Sequence, residues 1–170
     1  THIESYISSG SNYDYMPCPS DPNIFFSEPS KQIYEASFIG NNNQPNRYPV
    51  VKHLHDKFGM HVFGYGWDLK LSHKSVYNDE FRKVCCASKI CVSIMDKKHT
   101  LLKAYFSNRL INTMATGSCC ITSYTPGLED VFKIKNEIDW FNNIEELDRI
   151  ISYYLSHNEQ RNIMGINAAK

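Results

Sequence analysis

Short apolar segments alternate with amphipathic helical segments from Ala36 onward, and this alternation limits the possible folds more than any other feature. The hydrophobic pattern predicts strands at residues 36–40, 60–64, 90–95 and 118–122, and helices at residues 47–58, 78–87 and 108–115. The remainder is expected to be helical, because Asn143 and Glu146 have the spacing of a capping box and residues 159–168 suit a last helix. Such alternation is typical of a parallel sheet with helices on both faces, so the predicted fold class is α/β.

The first part of the chain has a different composition. Residues 1–35 are rich in Ser, Asn, Pro and Tyr, and four prolines interrupt any regular pattern. We interpret this segment as a linker or extended arm that packs only partly, with the folded domain at residues 36–170. A chain of 170 residues suits one domain, which buries about two-thirds of its unfolded surface.

The overall charge excludes some classes of partner. The chain has 18 Lys and Arg residues and 18 Asp and Glu residues, so no net field attracts a nucleic acid polymer or an anionic membrane. No apolar run approaches the ~20 residues that a membrane helix needs, and the first residues do not resemble a signal peptide. A cytoplasmic location is expected. The six cysteines contain no C-x-x-C pair and are expected to be buried, reduced thiols.

Residues 105–122 combine a loop, a helix and a buried strand in one run. The helix is expected to begin near Asn108 and to end at Gly117, so its free N–H groups and its positive dipole end suit an anion. Arg109 lies beside them as a bidentate donor, and the carboxyl edge of a parallel sheet is where ligands bind. Taken alone, a solvated surface arginine is the more common arrangement.

Several short motifs occur in a specific order between residues 16 and 170. They include Ser37-Phe-Ile-Gly-Asn41, Val62-Phe-Gly-Tyr-Gly-Trp67, Phe106-Ser-Asn-Arg109 and Gly127-Leu-Glu-Asp-Val-Phe132. In this order they resemble the carboxyl-terminal half of CgeB-like group-1 glycosyltransferases. The resemblance implies the GT-B architecture, in which two Rossmann-like domains face a cleft and the second domain holds the nucleotide-sugar donor. It also implies a missing amino-terminal domain that binds an acceptor, which is an unknown glycan, protein or small molecule.

The resemblance further implies which residues bind the nucleotide sugar. Arg109 is expected to be catalytic, because it would neutralise the diphosphate leaving group. No cofactor besides the donor substrate and no metal is expected, since no Asp-x-Asp pair is available to hold a cation. The residues implied to bind the donor are Gly40, Asn41, Gly64, Tyr65, Gly66, Trp67, Val76, Tyr77, Ser107, Asn108, Arg109, Asn112, Gly127 and Glu129.

Two positions depart from the family pattern and leave the function open. Related enzymes have a ribose-binding glutamate at the position of Asn112, and many have another at the position of Ala104. The chain is therefore either a metal-independent glycosyltransferase domain or a degenerate one that acts as a binding or assembly module. An unrelated phosphate-binding regulator is a third interpretation. Structural alternatives also exist for Trp67, as a core aromatic, and for Glu129, as a helix-start carboxylate.

Overall fold

Six parallel strands form one sheet in the computed structural model, which describes residues 9–10 and 18–170. The strand order is β3-β2-β1-β4-β5-β6, and every neighbouring pair is parallel. This is the strand order of the doubly wound Rossmann fold, so the predicted fold class is confirmed. The strands are β1 (Tyr34–Ile39), β2 (His61–Phe63), β3 (Ser72–His73), β4 (Ser88–Ser93), β5 (Cys119–Ser123) and β6 (Asp139–Phe141).

Helices cover both faces of the sheet because successive strand residues point to opposite sides. In β4, Ile90 and Val92 pack in the core that contains α1, α4 and α5, whereas Cys91 packs against α2 on the other face. On that second face, Leu110 of α3 belongs to a core cluster with Cys120 of β5. The helices are α1 (Arg47–Phe58), α2 (Asn78–Cys86), α3 (Asn108–Ala115), α4 (Ile144–Ser156) and α5 (Asn158–Ala168), and short 3₁₀ turns span His99–Leu101 and Leu128–Asp130.

Local signals place the helix ends close to where the sequence predicts them. α1 ends at Gly59, which takes a left-handed conformation with φ of 62° and donates its N–H to the His55 carbonyl. At the start of α4 the Asn143 side chain accepts from the Glu146 N–H at 2.9 Å. The Glu146 carboxylate accepts in turn from the N–H of Asn142, so the capping box is offset by one residue.

Two strands were not predicted. β3 has two residues and β6 has three, and each lies at an edge of the sheet with one neighbouring strand. The expectation that the chain is helical after the fourth predicted strand is therefore wrong at β6. Segments this short contain too few residues to show the alternation that identifies a strand.

Two buried arginines hold the segment that precedes β1. Arg82 donates to the carbonyl of Ile24 at 2.9 Å, and its guanidinium lies 4.1 Å from the centre of the Phe26 ring. Arg161 of α5 reaches Gln32 at 3.2 Å. Residues 18–33 contain no strand or helix, while residues 1–8 and 11–17 lie outside the described part of the chain. The role of residues 1–35 as an arm from another domain stays a prediction.

All six cysteines are free, and four of them are buried as expected. Cys119 and Cys120 point to opposite faces of the sheet, and burial raises the pKa of both thiols. Cys18 is exposed and Cys86 is half-buried, so the expectation of burial is wrong for these two. In the described part of the chain, no helix is long and apolar enough to cross a bilayer.

Candidate functional site

The loops that follow the strands open at one edge of the sheet. Because all six strands are parallel, residues 40–46, 64–67, 76–77, 105–109 and 123–129 gather at the carboxyl edge, as predicted. A cleft of about 310 Å³ lies among the first of these loops and α3. Its lining residues are Ile39, Gly40, Asn41, Asn43, Arg47, Phe63, Ser75, Val76, Tyr77, Phe81, Arg109 and Asn112.

Arg109, the second residue of α3, extends across the end of β1 into this cleft. Its Nη1 donates to the carbonyl of Ile39 at 2.8 Å, and its guanidinium carbon lies 5.5 Å from the centre of the Phe38 ring. The ring supports the cation from the side of the core. Arg109 is therefore a fixed, half-buried cation and not a freely solvated surface side chain.

Gly40 leaves the space that Arg109 occupies. A Cβ atom at Gly40 would collide with Nη1 of Arg109 and would lie 2.9 Å from Cζ of Phe38. On its other side, the backbone of Gly40 touches Gly64, where a Cβ atom would collide with the Gly40 carbonyl. The first two loops can approach each other and Arg109 only because both positions lack a side chain.

Arg47, the first residue of α1, contributes a second cation to the cleft. Its Nε donates to the carbonyl of Ile94 at 3.2 Å. Its Nη1 contacts the carbonyl of Asn41 at 3.3 Å and Oδ1 of Asn43 at 3.0 Å. Arg47 thus connects the end region of β4 to the loop after β1.

The two guanidinium groups make the cleft electropositive. Burial, with a further contribution from the charge of Arg47, lowers the pKa of Arg109 to about 10. Burial also lowers the pKa of Arg47, and Asp96 partly offsets this change. Neither arginine forms an ion pair with a carboxylate of the described residues. The described lining of the cleft contains no Asp or Glu. Two cations without an ion-pair partner among the described residues, close together in a confined space, favour a ligand that carries several negative charges.

The opposite wall of the cleft comes from the loop before α2 and from the next turn of α3. Val76 is buried and Tyr77 is exposed, and both line the cleft. Asn112 lies three residues after Arg109 on α3, which places the two side chains on the same helix face. The implied binding residues Gly40, Asn41, Val76, Tyr77, Arg109 and Asn112 are thus brought together.

Residues 64–67 lie behind the loop after β1 and do not line the cleft. The Asn41 side chain accepts from the N–H of Tyr65 at 2.9 Å, and the Asn42 amide donates to the carbonyl of Gly66 at the same distance. Trp67 donates its indole N–H to the Gly40 carbonyl at 2.7 Å. Its ring packs on Phe38 and Tyr48, which fits the core-aromatic alternative.

The other implied residues also lie outside the cleft. Ser107 precedes α3 and its hydroxyl is buried, while Asn108 is exposed. Gly127, with φ of 88°, packs against Lys103 and Ala104. Glu129 is exposed and accepts from the Tyr124 hydroxyl at 3.1 Å. A second cavity of about 380 Å³ is lined by Tyr124 and Pro126 among others, but none of these four implied residues lines it.

Six cleft residues were not assigned as binding residues from the sequence: Ile39, Asn43, Arg47, Phe63, Ser75 and Phe81. Arg47 is the first residue of the helix predicted at residues 47–58, where a cation is unfavourable without an anion. The same reasoning that identified Arg109 therefore applies to it. Asn43 belongs to the loop at residues 40–46, which was predicted to lie at this edge. Phe81 has the spacing of a core position of α2, and nothing in the sequence marked Ser75.

The fold and the cleft define a Rossmann-like domain with an electropositive cleft at the carboxyl edge of its sheet. Residues 47–170 match the model of the glycosyl transferase-like family. The chain belongs to this family, and the resemblance to CgeB-like glycosyltransferases is confirmed. No curated protein sequence matches the chain.

Solved structures with low sequence identity have the same fold. Sucrose-phosphate synthase from Thermosynechococcus elongatus has a TM-score of 0.69 and 13% identity, over 99% of this chain and 49% of that one. HepE from Anabaena in complex with UDP-glucose has a TM-score of 0.68 and 12% identity, over 98% of this chain and 55% of that one. The chain thus spans about half the length of these two proteins.

A third structure consists of one domain. The carboxyl-terminal domain of a glycosyl transferase group 1 family protein, LpcC from Francisella tularensis, has a TM-score of 0.63 and 11% identity. The match covers 89% of this chain and 95% of that domain. The chain therefore has the fold of a GT-B carboxyl-terminal domain.

Proposed function

We propose that the cleft binds a nucleotide-diphosphate sugar, with the diphosphate held by Arg109 and Arg47. The observation that carries this proposal is the pair of half-buried guanidinium groups without a carboxylate partner. Leaving buried charge uncompensated is unfavourable, and a diphosphate supplies the missing negative charge in a form that guanidinium groups bind bidentately. A solved relative of the same fold, HepE, was determined with UDP-glucose, which supports this class of ligand.

The rest of the cleft suits the nucleoside. With the diphosphate on Arg109, the ribose would lie along α3 toward Asn112, whose amide can both donate and accept hydrogen bonds. The base would lie toward Val76 and Tyr77, where the apolar side chains of Phe63 and Phe81 complete the wall. A short polar region followed by an apolar wall matches the order of groups in a nucleoside diphosphate.

The two arginines would also stabilise the transition state of glycosyl transfer. In glycosyl transfer an acceptor oxygen attacks the anomeric carbon, the bond from that carbon to the diphosphate breaks, and the leaving diphosphate gains negative charge. Cations that face this charge stabilise the transition state more than the ground state. Because Arg109 and Arg47 supply positive charge, we propose transfer without a metal ion. The cleft lining offers no carboxylate to accept the proton from the acceptor, so we propose that the acceptor and its base belong to an amino-terminal domain.

A second function, binding without transfer, is favoured by one observation. Asn112 places a neutral amide in the cleft, and Ala104 offers no side-chain polar group to a ligand. A neutral hydrogen bond contributes about 0.5–1.5 kcal/mol, compared with about 1.5–3 kcal/mol for one to a charged group. Such a site can still bind the donor while supporting little turnover, as an assembly module would.

Calorimetric titration of the chain with uridine diphosphate (UDP) and guanosine diphosphate (GDP) tests the proposed binding. At least one nucleotide is expected to bind, and its monophosphate is expected to bind more weakly because it leaves one arginine uncompensated. Failure of both diphosphates to bind would contradict the proposal. A donor-hydrolysis and transfer assay on the full-length parent protein then separates the two functions, since only the enzyme releases nucleoside diphosphate from the donor.

A further inference from the structure

A small internal cavity adjoins Arg109. Its volume is about 10 Å³, and its walls come from β1, β4, β5 and α3. Ser93 at the end of β4, Cys120 of β5 and Thr113 of α3 line it together with Arg109. Arg109, together with Ile39, belongs to the walls of both this cavity and the cleft.

Two residues that line this cavity each have a buried polar atom with no hydrogen-bond partner among the described residues. The two atoms are Oγ of Ser93, a residue that is 4% exposed, and Nε of Arg109. An unsatisfied buried polar group costs about 1–3 kcal/mol, and more when the group is charged. The Thr113 hydroxyl, which also lines the cavity, donates to the Arg109 carbonyl at 2.8 Å and accepts from Cys85 Sγ at 3.9 Å, so it retains one lone pair that can accept. The Ser37 hydroxyl, a further polar group of the wall, donates to Cys91 Sγ at 3.6 Å.

We propose that one ordered water molecule binds in this cavity, where it accepts from Arg109 Nε–H and hydrogen-bonds to Oγ of Ser93. A cavity of about 10–15 Å³ is the smallest that holds one water, and a buried water needs two to four polar partners. Ser93, Arg109 and the free lone pair of Thr113 provide that number. The cavity is too small for a larger ligand.

The water makes Ser93 a positioning residue for nucleotide binding, a consequence that depends on the proposed function. The bond from Nη1 to the Ile39 carbonyl fixes one side of the guanidinium. A bond from Nε to the water fixes a second point, and two points define the orientation of a planar group. The other N–H groups of the Arg109 guanidinium then face the cleft in a fixed orientation. Because they are already ordered, diphosphate binding does not lose the conformational entropy of ordering them.

Thr122 provides a matched control on the neighbouring strand. It pairs with Ser93 across β4 and β5, it is fully buried, and its hydroxyl also lacks a described partner. Unlike Ser93, it does not line the cavity. Thr122→Val therefore removes a comparable buried hydroxyl at nearly constant volume without changing the contacts of Arg109.

The presence of the water molecule can be tested without a bound nucleotide. A high-resolution crystal structure of the chain is expected to show solvent density within hydrogen-bonding distance of both Arg109 Nε and Ser93 Oγ. In Ser93→Val, whose larger side chain fills the cavity, this density should be absent. A direct hydrogen bond between Ser93 and Arg109, or a cavity without solvent density in the unmodified chain, would overturn the inference.

The positioning role is tested by titration with UDP and GDP. Ser93→Ala is expected to raise the dissociation constant about 3- to 10-fold at neutral pH, the change that one lost hydrogen bond produces. Its affinity should also fall at a lower alkaline pH than that of the unmodified chain, because the Arg109 cation has lost an acceptor. Thr122→Val should change neither quantity.

The possible outcomes are distinct. Unchanged affinity in Ser93→Ala, or equal weakening in Ser93→Ala and Thr122→Val, would overturn the positioning role. If Ser93→Ala does not fold, Ser93→Cys, which puts a weaker hydrogen-bonding group at the same place, should weaken nucleotide binding, and affinity equal to that of the unmodified chain would count against the inference. If the unmodified chain binds neither nucleotide, the proposed function fails, whereas the crystal structure still decides whether the water is present.

Discussion

Arg109 and Arg47 are the residues on which ligand binding is expected to depend most. We predict that Arg109→Ala raises the dissociation constant for UDP or GDP about 10- to 100-fold, which corresponds to the 1.5–3 kcal/mol of a hydrogen bond to a charged group. Removal of a half-buried cation next to Arg47 also relieves repulsion, so the melting temperature should change little. Calorimetric titration at one ionic strength and a melting curve provide the two measurements.

Arg149→Ala is the control for this prediction. Arg149 is an exposed residue of α4 and does not line the cleft, so its removal changes the net charge equally without removing a ligand contact. If both variants bind the nucleotide as the unmodified chain does, Arg109 does not belong to the site. If both weaken binding equally, the attraction comes from net charge and not from the cleft.

Asn112 gives a second prediction at this scale, because an amide replaces the carboxylate that related enzymes use. Asn112→Glu is expected to tighten nucleotide binding by about 1 kcal/mol, or roughly fivefold, since ribose hydroxyls donate more strongly to a charged acceptor. The same exchange at Asn108, an exposed residue of α3 outside the cleft, should not tighten it. Weaker binding in Asn112→Glu would show that the pocket is built around the amide.

Sequence reasoning identified the part of the site that depends on strand ends and helix starts. Gly40, Arg109 and Asn112 lie in the cleft because a parallel fold determines where their segments meet. The same reasoning could not show that residues 64–67 lie behind the neighbouring loop, since that depends on the side-chain bonds of Asn41 and Asn42. Nor could it recognise Phe81, whose helical spacing is that of a core residue.

Among the elements, β3 is the smallest strand, and a pair of histidines joins it to β2. Nδ1 of His61 lies 2.8 Å from Nε2 of His73, and the two rings stack. Tyr34 packs on His61 and Phe63 packs on His73. Burial, the neighbouring charge of His73 and, to a smaller extent, His55 lower the pKa of His61.

This pair predicts a loss of stability in mild acid. Because the folded pKa of His61 lies below its ordinary value near 6.5, the unfolded chain binds the proton more tightly. The contribution is fully present above pH 6.5 and is lost as the pH falls from that value through the lowered pKa. Urea unfolding between pH 8 and pH 5 should show a smaller pH dependence for His61→Phe, which keeps the contact with Tyr34.

His157→Gln is the control, because His157 lies between α4 and α5 and stacks on Tyr153, away from this pair. It should leave the pH dependence of the unfolding free energy close to that of the unmodified chain. An unchanged pH dependence of the unfolding free energy in His61→Phe would exclude the histidine pair as its source.

β3 also shows what the sequence cannot predict. This strand forms because it pairs with β2, and its own two residues are too few to identify it.

For the whole molecule, the charge of the cleft leads to a prediction about metal ions. Because Arg109 and Arg47 supply positive charge to the diphosphate, binding of UDP or GDP is expected to be unchanged by EDTA. Titrations with EDTA, and with Mg²⁺ or Mn²⁺ added in excess, measure this directly. Affinity that disappears with the chelator and returns with the metal would contradict the proposed metal-free binding.

The contact between Gly40 and Gly64 has a consequence for efforts to change the donor specificity. Any side chain at Gly40 displaces Arg109, and any side chain at Gly64 separates the first two loops, so libraries that vary either position will consist mainly of inactive clones. Tyr77 and Asn112 reach the cleft from the opposite wall, and Tyr77 is exposed. Selection for a new nucleotide should therefore recover substitutions at these two positions while both glycines stay unchanged.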